Sequence, residues 1–192
     1  MSNNTKYTEP KPAVFMDRDD TLIDDPGFLR DPEKVKLLPG VVEGLKKLRE
    51  AGYLLVIISN QSGIGRGIIK PEELDQVNSR LLEILKKNDI EIDRIYWCPH
   101  TPDDKCDCRK PATGMLQRAV KDLNIDLSGS VMVGDRPSDI KAGKNMEITS
   151  ILINHDESYN DAEQPDIIVK SFFEGANYII QRFSKEPDNN DR

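Results

Sequence analysis

Residues 13–21 read Ala13-Val14-Phe15-Met16-Asp17-Arg18-Asp19-Asp20-Thr21, an apolar run that passes directly into an acidic turn. The consecutive apolar residues indicate a strand buried on both faces, as strands of parallel sheets are. Ligands of open α/β sheets bind outside the carboxyl ends of the strands, so polar residues directly after such a strand mark a candidate site. The segment therefore predicts an α/β fold and also the edge of the sheet where its chemistry lies.

Further apolar runs with the length of buried strands recur along the chain. They occupy residues 53–58, 95–97, 130–133, 150–153 and 167–169. Apolar residues at helical spacing lie between the runs, at residues 41–51, at 74–85 after Pro71, and at 116–123. The alternation of strand and helix predicts a doubly wound parallel sheet.

The chain has 192 residues and a net charge of −7, which fits one domain with an ordered core at about 12–183 and polar tails at 1–11 and 185–192. Its acidic balance argues against nucleic acid, which is bound by a basic face. No apolar stretch approaches the ~20 residues that span a bilayer, and the N-terminus lacks the apolar stretch of a secretory signal. We therefore expect a cytoplasmic protein that does not bind membranes. No exposed apolar stripe demands a partner, so we also expect a monomer.

The cysteines form one cluster with one of the two histidines. Its members are Cys98, His100, Cys106 and Cys108. Three thiolates and one imidazole match a closed tetrahedral Zn²⁺ site, which leaves no position open for substrate. Ordinary free cysteines are the alternative, but the C-x-H and C-x-C spacing favours a structural zinc-binding loop, and three cysteines cannot all pair in disulfides. The loop leads directly into Arg109 and Lys110, while His155 lies in a polar segment and is assigned no role.

Polar groups follow three of the predicted strands. Asp17 and Asp19 stand two residues apart and can share one face of an extended segment. SNQSGIGRG at residues 59–67 offers many hydrogen-bond donors to a phosphate, and GDRPSD at 134–139 adds two carboxylates to the same edge. A solvated acidic loop and a flexible glycine turn are the alternatives. Clustered carboxylates repel unless a cation joins them, and Mg²⁺ suits oxygen ligands and phosphate substrates.

These motifs together resemble a known family over almost the whole chain. DRDDTL (17–22), SNQSGIGRG (59–67), CPH (98–100) with CDCRKP (106–111), and GDRPSD (134–139) resemble the haloacid dehalogenase superfamily of phosphohydrolases. More narrowly, they are similar to the group that contains D-glycero-D-manno-heptose 1,7-bisphosphate phosphatase and histidinol-phosphate phosphatase. The resemblance implies a Rossmann-like sheet of the haloacid dehalogenase type, catalytic Mg²⁺ and structural Zn²⁺.

The resemblance also implies roles for individual residues. Asp17 would be the nucleophile that takes the phosphoryl group, and Asp19 the general acid and then the base. Mg²⁺ would be held by Asp17, the main-chain carbonyl of Asp19, and Asp135. Ser59 would hydrogen-bond the transferring phosphoryl group, while Lys110 would balance its charge. Implied substrate contacts are Asp25, Pro26, Gly27, Phe28, Asn60, Gln61, Ser62, Arg109 and Arg136, and Arg66 can face a distal phosphate.

The spacing of the motifs bears on the substrate. No large insertion that could form a cap domain separates the first two motifs, so we expect an open site and a small phosphorylated sugar. Residues 61–67 are more similar to the heptose enzymes, which favours hydrolysis of the C7 phosphate of a heptose 1,7-bisphosphate. Histidinol phosphate is the alternative substrate. A non-catalytic zinc-binding regulatory protein is an alternative of another class.

Asp20 departs from the family motif, which usually has glycine at this position. Glycine is often placed where φ is positive, and Asp is among the few other residues that tolerate left-handed geometry. We therefore expect the motif to tolerate Asp20. The additional negative charge beside the nucleophile is expected to weaken phosphate binding or raise the pKa of Asp19.

Overall fold

The computed structural model describes residues 9–154 and 164–183, over which the chain forms one six-stranded parallel sheet with helices on both faces. The strands are β1 (Lys11–Met16), β2 (Leu54–Asn60), β3 (Arg94–Cys98), β4 (Ile125–Gly134), β5 (Thr149–Ile153) and β6 (Ile167–Val169). The helices are α1 (Val41–Glu50), α2 (Ser62–Gly65), α3 (Pro71–Lys86), α4 (Gly114–Leu123), α5 (Pro137–Asn145) and α6 (Phe172–Phe183). Short 3-10 turns lie at Pro32–Lys34 and Pro102–Asp104. The predicted doubly wound α/β class is confirmed.

The strand order is β3-β2-β1-β4-β5-β6, which places β1 and β4 side by side at the centre of the sheet. The chain runs outward from β1 to β3 on one side and from β4 to β6 on the other. The order reverses between β1 and β4, and ligands of such sheets bind in the crevice outside this point. Asp17 follows β1 there, and its amide donates to the Val133 carbonyl at 2.9 Å.

The central strands are apolar throughout because they separate two cores. Val14 and Met16 point to the core that contains apolar residues of α1, α3 and α6. Ala13 and Phe15 point to the core that contains apolar residues of α4 and α5. All four side chains are fully buried, as expected where successive residues of a strand face opposite layers.

Some elements extend beyond the predicted ones. The patterns did not identify α2, α5 and α6, although Phe172, Ala176 and Ile179 of α6 enter the core at helical spacing. The predicted run at 130–133 is only the fully buried end of β4. This strand begins at Ile125, which pairs with Lys11, so the sheet includes the last residue of the predicted tail 1–11.

Several predictions concern regions outside these elements. The predictions for residues 1–8, for His155 and for residues 184–192 lie outside the described part of the chain. Between β1 and β2 the chain forms a loop, the turn at Pro32–Lys34 and α1, without an inserted cap domain. Within residues 9–154 and 164–183, no helix combines the length and the apolar character that crossing a bilayer requires.

Gly44 and Gly175 provide a matched test of the packing between α1 and α6. A Cβ at Gly44 would stand 2.9 Å from Cδ1 of Phe172, whereas one at Gly175 would come no closer than 3.6 Å to Val169. We expect Gly44→Ala to lower the free energy of unfolding by about 1–3 kcal/mol, because the buried ring must move. Gly175→Ala should raise it by up to about 1 kcal/mol through helix propensity. Urea unfolding measures both, and equal effects of the two substitutions would contradict this packing.

Candidate active site

A cleft of about 270 Å³ lies at the carboxyl ends of the central strands. Its lining residues are Asp17, Asp19, Asp25, Gly27, Phe28, Asn60, Gln61, Ser62, Arg109, Lys110, Arg136, Ser138 and Asp139. The fold thus brings together most of the residues that the sequence analysis selected. Four of the residues predicted for catalysis, magnesium or substrate do not line this cleft: Pro26 and Arg66 are exposed, Asp135 is half-buried and Ser59 is buried.

A larger cavity of about 650 Å³ lies between β3 and α4, away from the strand-end carboxylates. Its polar groups bind one another. The Tyr96 hydroxyl donates to Oδ2 of Asp122 at 2.9 Å, and Nε of Arg118 lies 3.7 Å from the same oxygen. The chemistry is therefore to be sought in the smaller cleft.

Lys110 is a buried cation between two carboxylates. Its Nζ lies 2.5 Å from Oδ1 of Asp17 and 2.6 Å from Oδ1 of Asp139, and it donates to the Ile58 carbonyl at 2.6 Å. The contacts with Asp17 and Ile58 are hydrogen bonds, and the contact with Asp139 is an ion pair. Burial lowers the pKa of Lys110, but the charges of Asp139 and Asp17 outweigh burial and raise it. Lys110 therefore remains charged and balances part of the negative charge of the site.

Two neighbours fix the main chain around Lys110. Asn60 accepts from the Lys110 amide and donates to the Lys110 carbonyl, each at 3.0 Å. Nη1 of Arg109 donates to the His100 carbonyl at 3.1 Å. The sequence analysis predicts a substrate contact for Asn60, whereas the structure shows its side-chain amide holding Lys110. Lys110 is thus held from β2, and Arg109 is held from the cysteine-rich loop, residues 98–108.

Three carboxylates form a group that can hold a metal ion. One oxygen each from Asp17, Asp135 and Asp139 lies within 4.8 Å of the others. Burial, with the charge of Asp17, raises the pKa of Asp135 to about 7, and burial also raises the pKa of Asp139. The group carries more negative charge than Lys110 balances, and its donors are the hard oxygens that Mg²⁺ prefers.

The partners of Asp139 leave Asp17 and Asp135 as the better ligands. Lys110 occupies one oxygen of Asp139, and the other accepts from the Arg136 amide at 3.1 Å. The carboxylate of Asp19 does not join the group. The donor set therefore fits the predicted magnesium site, in which Asp19 contributes only its main-chain carbonyl.

The Asp19 side chain is held from two directions. Nε of Arg18 donates to its Oδ1 at 2.9 Å, and Nε2 of Gln61 donates to its Oδ2 at 2.7 Å. Gln61 also donates to Oγ of Ser59 at 2.8 Å, which connects the predicted acid to the predicted phosphate-binding hydroxyl. Burial raises the pKa of Asp19 to about 6, although the Arg18 charge opposes this. A carboxyl group with this pKa can both give and take a proton near neutral pH.

Arg18 and Thr21 belong to the site although the sequence analysis assigns them no role, and Asp139, which was predicted only as one of two strand-end carboxylates, binds Lys110. Thr21 is fully buried and donates to Oδ1 of Asp135 at 3.4 Å. All three residues stand inside the two Asp-rich motifs at residues 17–22 and 134–139. Their polarity directly after buried strands was a signal that could have identified them.

The cysteine-rich loop closes on itself. The three sulfur atoms lie 3.0 to 3.6 Å apart, and Nδ1 of His100 lies 3.4 Å from Cys98 Sγ and 3.3 Å from Cys108 Sγ. A tetrahedral ion with bonds of about 2.3 Å to sulfur has ligand edges of about 3.8 Å, so these donors surround one ion after a small expansion. Burial raises the pKa of the Cys98 thiol, and a bound cation would favour the thiolate instead. The donor set fits a closed metal site.

A family model described as polynucleotide kinase 3 phosphatase matches residues 12–168, which is most of the chain. The chain belongs to this family. The fold is that of the haloacid dehalogenase superfamily: a haloacid dehalogenase-like protein from Mesorhizobium loti superposes with a TM-score of 0.80 at 27% identity. The match covers 97% of this chain and 93% of that structure. The fold and the phosphatase class inferred from the motifs are confirmed.

Relatives within the family carry a more specific name. D-glycero-beta-D-manno-heptose-1,7-bisphosphate 7-phosphatase of Pasteurella multocida is 40% identical over 183 residues, 92% of this chain and 95% of that protein. The protein of the same name from Haemophilus influenzae is 42% identical over 137 residues, 68% of this chain and 74% of its own. The D,D-heptose 1,7-bisphosphate phosphatase from B. bronchiseptica, solved with magnesium and phosphate, superposes with a TM-score of 0.78 at 26% identity. The match covers 89% of this chain and 99% of that structure.

Asp20 adopts the left-handed geometry that makes glycine common at this position, with φ of 55°. Its Oδ1 accepts from the Asp25 amide at 3.2 Å, and its Oδ2 lies 3.6 Å from Nη2 of Arg136. Asp20 thus touches two segments that line the cleft. The backbone at Asp20 is therefore left-handed, and the expected tolerance of Asp20 stays a prediction.

We expect Asp20→Gly to fold and to retain phosphatase activity, because glycine adopts positive φ without steric cost and the substitution removes a negative charge near Asp17. Asp20→Asn should also remain active, since it tolerates this geometry and keeps an Oδ1 acceptor. Asp20→Val should lose about 1–2 kcal/mol of stability because a β-branched residue disfavours positive φ. Steady-state kinetics and thermal unfolding measure these effects. A large loss of activity in Asp20→Gly alone would show that the bond to Asp25 is essential.

Proposed function

We propose that this phosphatase removes the C7 phosphate of D-glycero-D-manno-heptose 1,7-bisphosphate through an aspartyl-phosphate on Asp17. The observation that carries the proposal is the 40% identity, over 92% of this chain, to the heptose bisphosphate phosphatase of Pasteurella multocida. The cleft supports it, since about 270 Å³ suits a small polar substrate. Arg109 and Arg136 line the cleft, where a guanidinium group can bind a phosphate at two points.

The first half-reaction transfers the phosphoryl group to the protein. Lys110 holds Oδ1 of Asp17, which leaves Oδ2 to attack phosphorus. As that bond forms, the bond between phosphorus and the C7 oxygen breaks, and Asp19 gives its proton to the departing oxygen. Ser59 and Lys110 supply a hydrogen bond and a positive charge where negative charge spreads over the phosphate oxygens.

The second half-reaction releases phosphate. Asp19, now ionised, takes a proton from water, and the water oxygen attacks phosphorus. The bond between Asp17 and phosphorus then breaks, which restores the Asp17 carboxylate and leaves Asp19 protonated for the next cycle. Because Gln61 holds Asp19 beside Ser59, one carboxyl group can serve both halves of the reaction.

We assign two metal ions to the chain. Asp17, Asp135 and the main-chain carbonyl of Asp19 would hold Mg²⁺, which when bound neutralises carboxylate charge so that an anionic phosphate can approach. The cysteine-rich loop would hold Zn²⁺, because thiolate and imidazole ligands select zinc. Its ligand set is closed, so its contribution is structural. The loop then gives Arg109 a fixed main-chain acceptor at His100.

We also propose that the protein works as a monomer in the cytoplasm. The described cysteines are free thiols, and thiolate ligands persist in a reducing compartment. The exposed large apolar side chains of the described residues lie on four different segments of the chain, and scattered residues of this kind are normal on monomers. They are Phe28, Ile68, Leu82 and Ile168. Light scattering on the purified protein would measure the mass directly.

Substrate turnover tests the proposal. Phosphate release is measured from heptose 1,7-bisphosphate, histidinol phosphate and a 3′-phosphorylated oligonucleotide, with and without Mg²⁺. We expect selective, Mg²⁺-dependent turnover of the heptose, and a loss of about 10³-fold or more in Asp17→Asn because the nucleophile is removed. Asp24→Asn changes an exposed carboxylate in the same segment and should leave activity unchanged.

The other outcomes identify the alternatives. Selective turnover of histidinol phosphate would assign the protein to amino-acid biosynthesis. Selective turnover of the oligonucleotide would show that the protein acts on nucleic acid despite its acidic net charge. No Mg²⁺-dependent release from any of the three would favour the non-catalytic zinc-binding protein.

Metal analysis tests the zinc assignment. The purified chain should contain one Zn²⁺, and Cys106→Ser should lose it. The free energy of unfolding should then fall by roughly 3 kcal/mol or more, since loss of a structural metal is among the largest single-residue effects. Activity should fall as well, because Arg109 loses its fixed support. Thr101→Val lies in the same loop, removes no ligand and should retain zinc. A chain that folds fully without zinc would contradict the assignment.

A further inference from the structure

Asn78 is a buried polar residue to which the reaction above gives no role. It lies on α3 among core residues such as Val77 and Leu81, and it is 8% exposed. A buried side-chain amide costs free energy unless it is hydrogen-bonded. Asn78 meets this requirement through Arg18, whose Nη1 donates to Asn78 Oδ1 at 2.8 Å.

Arg18 connects Asn78 to the cleft. The guanidinium group is 1% exposed, and its other nitrogens reach Asp19: Nε lies 2.9 Å from Oδ1 and Nη2 lies 3.1 Å from Oδ2. Nη2 also lies 2.8 Å from Oδ1. Contacts from two nitrogens to both oxygens restrict the plane of a carboxylate as well as its position. Asn78 binds the remaining nitrogen and so fixes the plane of the guanidinium itself.

The Asp19 carboxylate is therefore oriented by two segments of the chain, the loop after β2 and helix α3. Gln61 reaches it from the loop after β2, and Gln61 lines the cleft. Asn78 reaches it from α3 through Arg18 and does not line the cleft. Asn78 is thus placed to influence the reaction by holding Arg18, without a contact to the substrate.

We infer that Asn78 is a positioning residue that, through Arg18, directs the Asp19 carboxylate toward the leaving oxygen. The inference rests on the proposed function, from which the role of Asp19 as proton donor comes. Without the Asn78 acceptor the guanidinium can turn about its long side chain, and the bound carboxylate turns with it. A displacement of about 1 Å in a reacting group can cost as much as about 10²-fold in rate.

Substrates with different leaving groups separate this role from a general effect on structure. A sugar or alkyl alkoxide needs a proton as its bond to phosphorus breaks, whereas p-nitrophenolate leaves without one. The ratio kcat/KM reports the steps up to phosphoryl transfer to Asp17, before Asp19 acts as a base. A misdirected Asp19 therefore lowers kcat/KM for an alkyl phosphate more than for p-nitrophenyl phosphate.

The test uses the full chain with Mg²⁺ and compares several variants. Asn78→Leu removes the acceptor at similar size, Asn78→Ala removes it with less bulk should leucine not be accommodated, and Asn78→Asp keeps an oxygen acceptor for Arg18. Asn88→Leu is the matched control, because Asn88 lies just after α3 and its Nδ2 donates to the Ile84 carbonyl at 2.9 Å, away from Arg18. Each is assayed on p-nitrophenyl phosphate and on glycerol phosphate, and thermal unfolding is recorded.

We expect Asn78→Leu to lower kcat/KM about tenfold on glycerol phosphate and less than about threefold on p-nitrophenyl phosphate. The tenfold loss is a part of the rate enhancement of about 10²–10⁴-fold that a general acid contributes. Asn78→Asp should restore both values to within about threefold of the parent. Asn88→Leu should lower only the melting temperature. Equal losses on the two substrates, or no loss on either, would overturn the inference. If the parent protein hydrolyses both test substrates but not heptose bisphosphate, the proposed substrate is contradicted. The role of Asn78 can still be tested by the ratio of the losses on the two test substrates.

Discussion

A buried ammonium group between two carboxylates is the constraint around which the rest of the structure is arranged. Removing Lys110, Asp17 and Asp139 from water costs several kcal/mol for each ion, and only close, well-directed contacts offset that cost. The contacts come from separate elements: Asp17 follows β1, Asp139 lies on α5, and Lys110 follows the cysteine-rich loop. The strand order places these elements together at the crevice between β1 and β4, where the order of the strands reverses. Since Asp135 adds a further carboxylate there, the same arrangement that buries a lysine also brings together oxygen ligands that can hold a divalent cation.

The cysteine-rich loop and the loop after β2 act as two supports for that lysine. Asn60 binds both main-chain polar groups of Lys110, and Arg109 is bound to the His100 carbonyl. Long cationic side chains lose conformational entropy when they bind a ligand, and prior ordering reduces this cost. The loop immediately before the two cations, with the metal that we propose for it, would therefore be a means of preorganisation. Its closed ligand set separates this structural task from the chemistry in the cleft.

Features that a physical requirement imposes on a few neighbouring residues could be predicted from the sequence. The buried strands were visible as apolar runs because both faces of a parallel sheet are covered. The cluster of three cysteines and one histidine was visible because these residues stand at close spacing in the chain, and the structure brings their side chains together. Prediction from the sequence failed where a residue depends on a distant partner. Asn78 stands within an amphipathic helix, and only its contact with Arg18 distinguishes it from a core position. Arg66, which the loop motif made a candidate, is exposed outside the cleft.

The sequence by itself determined the α/β class, the acidic and glycine-rich motifs at the strand ends and the cluster of three cysteines with one histidine. These features follow from periodicity and side-chain chemistry, which act over a few residues, whereas the left-handed position at Asp20 was expected only from the resemblance to a family motif. Only the tertiary structure decided that Lys110 bridges Asp17 and Asp139, that Gln61 joins Asp19 to Ser59, and that α3 reaches the cleft through Arg18. Such contacts join residues far apart in the chain. They depend on strand order and on packing to within an ångström, and no local pattern encodes either.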